Sequence, residues 1–106
     1  SYLAVTIVDT TTYKYSCDDK TVLFIQNFSY ENTEYIWYAV ADADDTLDVL
    51  KNYVDTDDNE QIEEFYVTYG TSESEAYAKF SYGGSLYLIV SEADTTTLRE
   101  VLLKII

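Results

Sequence analysis

Apolar and polar residues alternate in short runs along most of this 106-residue chain, the period-two pattern of strands that bury one face. Residues 2–8 set Leu3, Val5 and Ile7 against Tyr2, Ala4, Thr6 and Val8, and Asp9-Thr10-Thr11 then offers a turn. TYKYSC follows as a second strand. Asp18-Asp19-Lys20 interrupts the pattern before a third strand over 22–30, and Glu31-Asn32-Thr33 leads into a fourth over 35–41. Tyr, Val, Ile, Thr and Phe dominate these runs, and such side chains suit a pleated, half-buried surface.

The period changes after Asp44. Asp45-Thr46-Leu47-Asp48, followed by Val49, Leu50, Tyr53 and Val54, places apolar residues at helical spacing behind an acidic start, with Asp45 as N-cap and Asp48 in the first turn. This predicts a helix over 45–54. A second helix is predicted beyond Thr95-Thr96-Thr97, where Thr97 and Glu100 have the spacing of a capping box.

The order of elements repeats. A shift of 52 residues lays Phe28-Ser29-Tyr30 on Phe80-Ser81-Tyr82, Tyr13 and Tyr15 on Phe65 and Val67, and Val49-Leu50 on Val101-Leu102. Within the unit a shift of 50 aligns Trp37 with Tyr87, Val40 with Val90 and Ala43-Asp44 with Ala93-Asp94, which implies a turn at Gly83-Gly84 two residues shorter than the first loop. The expectation is a single α+β domain over 1–106, an antiparallel sheet of six or seven strands with two helices. It would arise by pseudo-two-fold duplication of a βββα unit, 12–54 and 62–106, with one strand added in front. One continuous sheet with both helices on one side and two smaller sheets both satisfy the pattern.

Composition narrows the function classes. With 47% apolar and 16% aromatic residues the chain can offset its ordering entropy and fold. No apolar run approaches the roughly 20 residues that span a bilayer, and 1–9 lacks the pattern of a secretory signal, so a soluble, cytoplasmic protein without membrane association is expected. Without Met, Ser1 follows either a removed initiator or a cleaved precursor. Cys17 is the single cysteine, so an internal disulfide is excluded and a reducing compartment fits. With no His and one Cys, a Ser-His-Asp or Cys-His mechanism and a Cys-rich zinc site are excluded within this chain. Neighbouring acids such as Glu63 and Glu64 point to opposite faces of a strand rather than converge across a cleft, and Gly83-Gly84 reads as a hairpin turn, not a phosphate loop. The chain is expected to be no enzyme and to need no cofactor.

Charge carries the functional reading. Twenty acidic residues against six basic ones leave −14, and ten of the acids fall between 42 and 64: Asp42, Asp44, Asp45, Asp48, Asp55, Asp57, Asp58, Glu60, Glu63 and Glu64, with Lys51 alone among them. Such a field repels nucleic acid directly and attracts basic partners. It also exceeds the roughly 2 to 8 charges that suffice for solubility in a small domain. These ten residues are the expected partner-binding set of a small protein that imitates nucleic-acid charge in the basic groove of a DNA- or RNA-binding protein, since Arg binds carboxylate and phosphate with the same fork. The composition is similar to that of small acidic inhibitors carried by phages and plasmids against host defences. An immunity protein against a basic toxin, and a self-assembling structural subunit that pairs through the uncharged strand over 2–8, are the alternatives. Asp55, Asp57 and Asn59 stand at positions 1, 3 and 5 of a calcium loop, but Glu60 replaces its Gly and Tyr66 its closing Glu; an EF-hand is excluded and only a weak oxygen-ligand site is left.

Overall fold

A computed structural model describes residues 4–7, 12–17, 20–43 and 47–106, which form one antiparallel sheet with a C-terminal α-helix, an α+β arrangement. The strands are β1 (Ala4–Ile7), β2 (Thr12–Cys17), β3 (Lys20–Tyr30), β4 (Thr33–Val40), β5 (Asn59–Ile62), β6 (Phe65–Ser72), β7 (Glu75–Tyr82) and β8 (Ser85–Ser91), and the helix is α1 (Thr95–Ile105). Their order across the sheet is β1-β2-β3-β4-β8-β7-β6-β5. Each half of the chain is therefore a four-stranded meander, the two meet along β4 and β8, and β1 and β5 form the edges.

Among the described residues the sheet holds eight strands rather than six or seven. The additional one is β5, inside the acidic stretch 42–64. Its alternation is carried by polar side chains, with Glu60 and Ile62 half-buried and Asn59 and Gln61 exposed. Hydrophobicity therefore does not reveal it.

Hairpin geometry follows from the tips. Glu31-Asn32 and Gly83-Gly84 both have positive φ at the two central positions, with values of 50, 66, 60 and 81°, which gives the primed turns that match strand twist. Tyr30 pairs with Thr33 and Tyr82 with Ser85, so the two tips are equal in length. The expected two-residue difference between them is thus corrected: Asn32, tolerant of positive φ, allows the first tip to close as tightly as two glycines do. Residues 52 apart are then equivalent through this hairpin. Along the seam Trp37 pairs with Ile89, Ile36 with Val90 and Tyr38 with Leu88, pairs that a two-fold axis normal to the sheet would exchange.

The elements covering the sheet do not follow that axis. On one face α1 sets Leu98, Val101 and Leu102 on Tyr35, Val67, Tyr69, Ala76, Ala78, Phe80 and Ile89. On the other, Leu50 packs with Leu23, Tyr38, Val40, Tyr77, Leu86, Leu88 and Val90. The covers therefore lie on opposite faces, not on one side.

The predicted helix over 45–54 is corrected. Asp45 lies outside the described residues, and the described part contains a 3-10 turn at Asp48–Leu50, with Leu47 at the cap position making no side-chain cap bond. Leu50 N donates to Leu47 O and Tyr53 N to Leu50 O, both at 2.9 Å. Leu47, Leu50 and Tyr53 recur every three residues, which aligns them on one side of a 3-10 path and lays all three on the sheet. Val49, Asn52, Tyr53 and Val54 are weak helix formers, and a segment this short has little helical stability of its own. At the other end of the chain α1 begins earlier than the capping-box spacing implies: Asp94 is the N-cap, its carboxylate accepting from Thr97 N at 2.8 Å. That bond, and the helix N-terminus it satisfies, hold the Asp94 carboxyl below the usual range.

Candidate functional site

The acidic stretch folds as a cover, an edge strand and a tip, and these three settings divide its carboxylates. Residues 47–58 cross the sheet and are tied to it by polar contacts. Tyr77 OH donates to Val54 O at 2.8 Å, and Lys79 Nζ, on a side chain only 10% exposed, donates to Tyr53 O at 3.1 Å and pairs with Asp55 at 3.2 Å. Tyr53 OH reaches Glu75 at 3.2 Å; burial first, then nearby negative charge, raises the Tyr53 and Tyr38 hydroxyls above their ordinary range. Asp55 thus stays exposed at the surface while its ion pair with the nearly buried Lys79 helps to hold the cover down. Asp48 stands exposed with Lys51 at 3.7 Å, Asp42 is exposed beside the end of β4, and Asp44 and Asp45 lie outside the described residues.

Glu60 is also committed. Arg99, projected from α1, clamps it bidentately, Nε to Oε1 and Nη2 to Oε2 both at 2.7 Å, and Tyr69 OH donates to Oε1 at 2.8 Å. These donors hold the Glu60 carboxyl below the usual range, Arg99 contributing most. A group with a depressed folded pKa stabilises above its unfolded pKa, and that contribution is lost as pH falls through the folded value. Wild type is therefore expected to be more stable than Glu60→Gln at neutral pH, with the gap closing as the solution is acidified through and below the ordinary carboxylate range. Urea melts of both proteins across that range check it, and a gap independent of pH would remove Glu60 ionisation as its source.

The remaining members face water. Asp57 and Asp58 precede β5, and Glu63 and Glu64 form the β5–β6 tip; all four are exposed. Between Asp57 and Glu64 the edge extends about 20 Å at strand rise. The residues of the weak calcium-loop match are occupied otherwise, Asp55 by Lys79 and Asn59 by Thr68 Oγ1 at 2.7 Å and by the backbone oxygen of Thr56 at 3.2 Å. Among the described residues no group of three or more His, Cys, Asp or Glu is arranged to hold a metal ion.

A second acidic region emerges only from the fold. In a meander alternate tips share an end of the sheet, so Glu31 and Glu73, forty-two residues apart, mark the same end. There an open cleft of about 850 Å³ is lined by Glu34, Glu75 and Glu92 over a floor that includes Ile36 and Val90. No lysine or arginine among the described residues pairs with these three, or with Glu31 or Glu73. Sequence reading centred on 42–64 passes over them because each is isolated in the chain; the signal available is that acids recur at successive turns of a meander.

Backbone geometry adds one more fact. Glu31, Glu63 and Glu73, the first residues of three hairpin tips, have φ of 50, 54 and 55°. That region disfavours side chains other than Gly, Asn or Asp, whereas the corresponding residue of the β7–β8 tip is Gly83. No helix among the described residues is long and apolar enough to cross a membrane. Comparison of the chain with protein families, curated proteins and solved structures finds no match, so its chemistry must be read from this charge geometry.

Proposed function

We propose that this chain is an acidic protein-binding inhibitor that occupies the basic groove of a nucleic-acid-binding protein, its carboxylates taking the place of phosphates. The observation that carries the reading is the placement of Glu31, Glu63 and Glu73 at positive φ. Glycine or asparagine would relieve the backbone at each tip, and retaining a carboxylate there trades stability for displayed charge. Along the β5 edge, Asp57, Asp58, Glu63 and Glu64 present four exposed charges over about 20 Å, where one duplex strand carries about six. Glu60 and Asp55 leave the expected binding set, because Arg99 and Lys79 neutralise them. In the same reading the chain acts in the cytoplasm, catalyses nothing, and derives its sheet from duplication of one unit.

The test uses a panel of basic DNA- and RNA-binding enzymes, repressors and nuclease toxins, with affinity measured by calorimetry at low and high salt and in competition with duplex DNA. Binding is expected to weaken with salt, to be displaced by DNA, and to fall about a hundredfold when Asp57, Asp58, Glu63 and Glu64 become Asn or Gln together. Equal affinity of that variant for every bound partner would overturn the edge as the contact surface. A nuclease toxin bound tightly but not displaced by DNA would move the reading to an immunity protein.

A further inference from the structure

We infer that two copies of this chain associate edge to edge through β1, in antiparallel register, continuing the eight-stranded sheet across a two-fold axis. An open sheet has two edges, and here they differ in kind. β5 carries Glu60 and is bracketed by Asp57, Asp58, Glu63 and Glu64, and charge of this kind on an edge strand opposes strand addition. β1 reads AVTI, within a run from Ser1 to Val8 that contains no charged residue. Among the described residues no strand lies on its outer side, so its outward N–H and C=O groups are left as a template for pairing.

Register strengthens the contrast. Val5 pairs with Tyr15, which pairs with Leu23, which pairs with Val40; Ile7 pairs with Tyr13, then Ile25, then Tyr38. Two apolar cross-strand rows thus run from the middle of the sheet to β1 and reach the edge without meeting a charge. Toward the opposite edge the Tyr38 row continues through Leu88, Lys79 and Thr68, meeting a charge on the way, and ends on the polar Asn59.

Charge selects the occupant. Up to Ala41 the chain has five acidic and two basic residues; after it, fifteen and four. The first meander, which ends in β1, is therefore the weakly charged pole of a strongly acidic molecule. A second copy is repelled from the β5 pole and meets least repulsion at β1, where the isologous pairing of one strand with its own copy also closes the assembly at two. This association goes beyond the inhibitor reading and responds to salt in the opposite sense: screening strengthens it, whereas screening weakens the hold on a basic partner.

Sedimentation of the full chain from about 10 µM to about 500 µM, at low and high salt, decides the matter. The expected mass rises from 12.2 kDa toward twice that value with concentration, and at lower concentration when salt is high. Ala4→Lys with Thr6→Lys is expected to hold the protein at the monomer mass, although the change lowers the net charge and would promote any association limited by charge alone. Gln61→Lys, on the β5 edge, is expected to leave the monomer–dimer curve unchanged, and thermal melts of dilute protein confirm that both variants are folded. A monomer at every concentration in high salt, growth beyond two copies, or a dimer indifferent to the β1 lysines would each overturn the inference. None of these outcomes bears on whether Asp57, Asp58, Glu63 and Glu64 bind a basic partner.

Discussion

Leu102→Ala is expected to lower folding stability by about 2 to 5 kcal/mol, the range for deleting a buried leucine side chain and leaving a cavity. Leu102 is fully buried, with Leu98 and Val101, between α1 and the sheet. The helix has little stability apart from that contact. It is 11 residues long and includes Thr95, Thr96, Thr97, Val101 and Ile105, all β-branched, in a length range where isolated helices are marginal. Loss of packing at Leu102 therefore weakens docking of the whole element, and with it the Arg99 clamp on Glu60. Chemical denaturation measures the change directly. Leu103→Ala, at a site 41% exposed, is expected to cost less than about 0.5 kcal/mol, and equal losses at the two positions would mean that α1 is not held by the face described.

Gly70→Ala is expected to cost about 2 to 4 kcal/mol although it adds one methyl group, combining overpacking with damage to a buried hydrogen bond. A Cβ at Gly70 would run into the hydroxyl and ring of Tyr77. Tyr77 has nowhere to retreat: it is 1% exposed, Tyr53 lies edge-on to its ring at 5.2 Å, and its hydroxyl holds Val54 O at 2.8 Å. Displacing it loosens the cover formed by residues 47–58. A double-mutant cycle isolates the clash, since Tyr77→Leu removes both the hydroxyl and the ring carbons that the added Cβ would meet. Gly70→Ala should then cost less in the Leu background than in wild type, and identical costs in the two would show that the Gly70–Tyr77 contact is not the source.

Both predictions concern places where local pattern and three-dimensional path diverge. Gly70 carries no mark in the sequence, because a glycine in a strand signals close approach only once its neighbour across the sheet is known. The same holds for Lys79, a nearly buried cation that joins β7 to Tyr53 O and Asp55. Strand β5 was hidden for the converse reason, since an edge strand with polar side chains needs little hydrophobic signal and is held by backbone pairing with β6. The helix expected over 45–54 came from counting apolar residues as a 3.6-residue stripe when Leu47, Leu50 and Tyr53 keep a spacing of three.

The candidate site divides in the same way. The acidity of 42–64 is plain in the chain, and so is its separation from the weakly charged first forty residues, because charge is a property of composition. Which carboxylates are available is not, because Arg99 reaches Glu60 from thirty-nine positions away and Lys79 reaches Asp55 from twenty-four. The second acidic region, with Glu34, Glu75 and Glu92 around one cleft, depends on strand order alone.

By itself the sequence determined the class of fold, most of the strands and their hairpin connections, the presence of the C-terminal helix, and the sign and unevenness of the charge. All of these depend on periodicity, turn chemistry or composition within a few residues of each other. Only the tertiary structure decided that the meanders join along β4 and β8, that the two covers lie on opposite faces, that β1 is an uncharged edge, and that Glu60 and Asp55 are paired with Arg99 and Lys79. Each is a contact between distant parts of the chain, where the energy of burying a face or pairing a charge outweighs local preference.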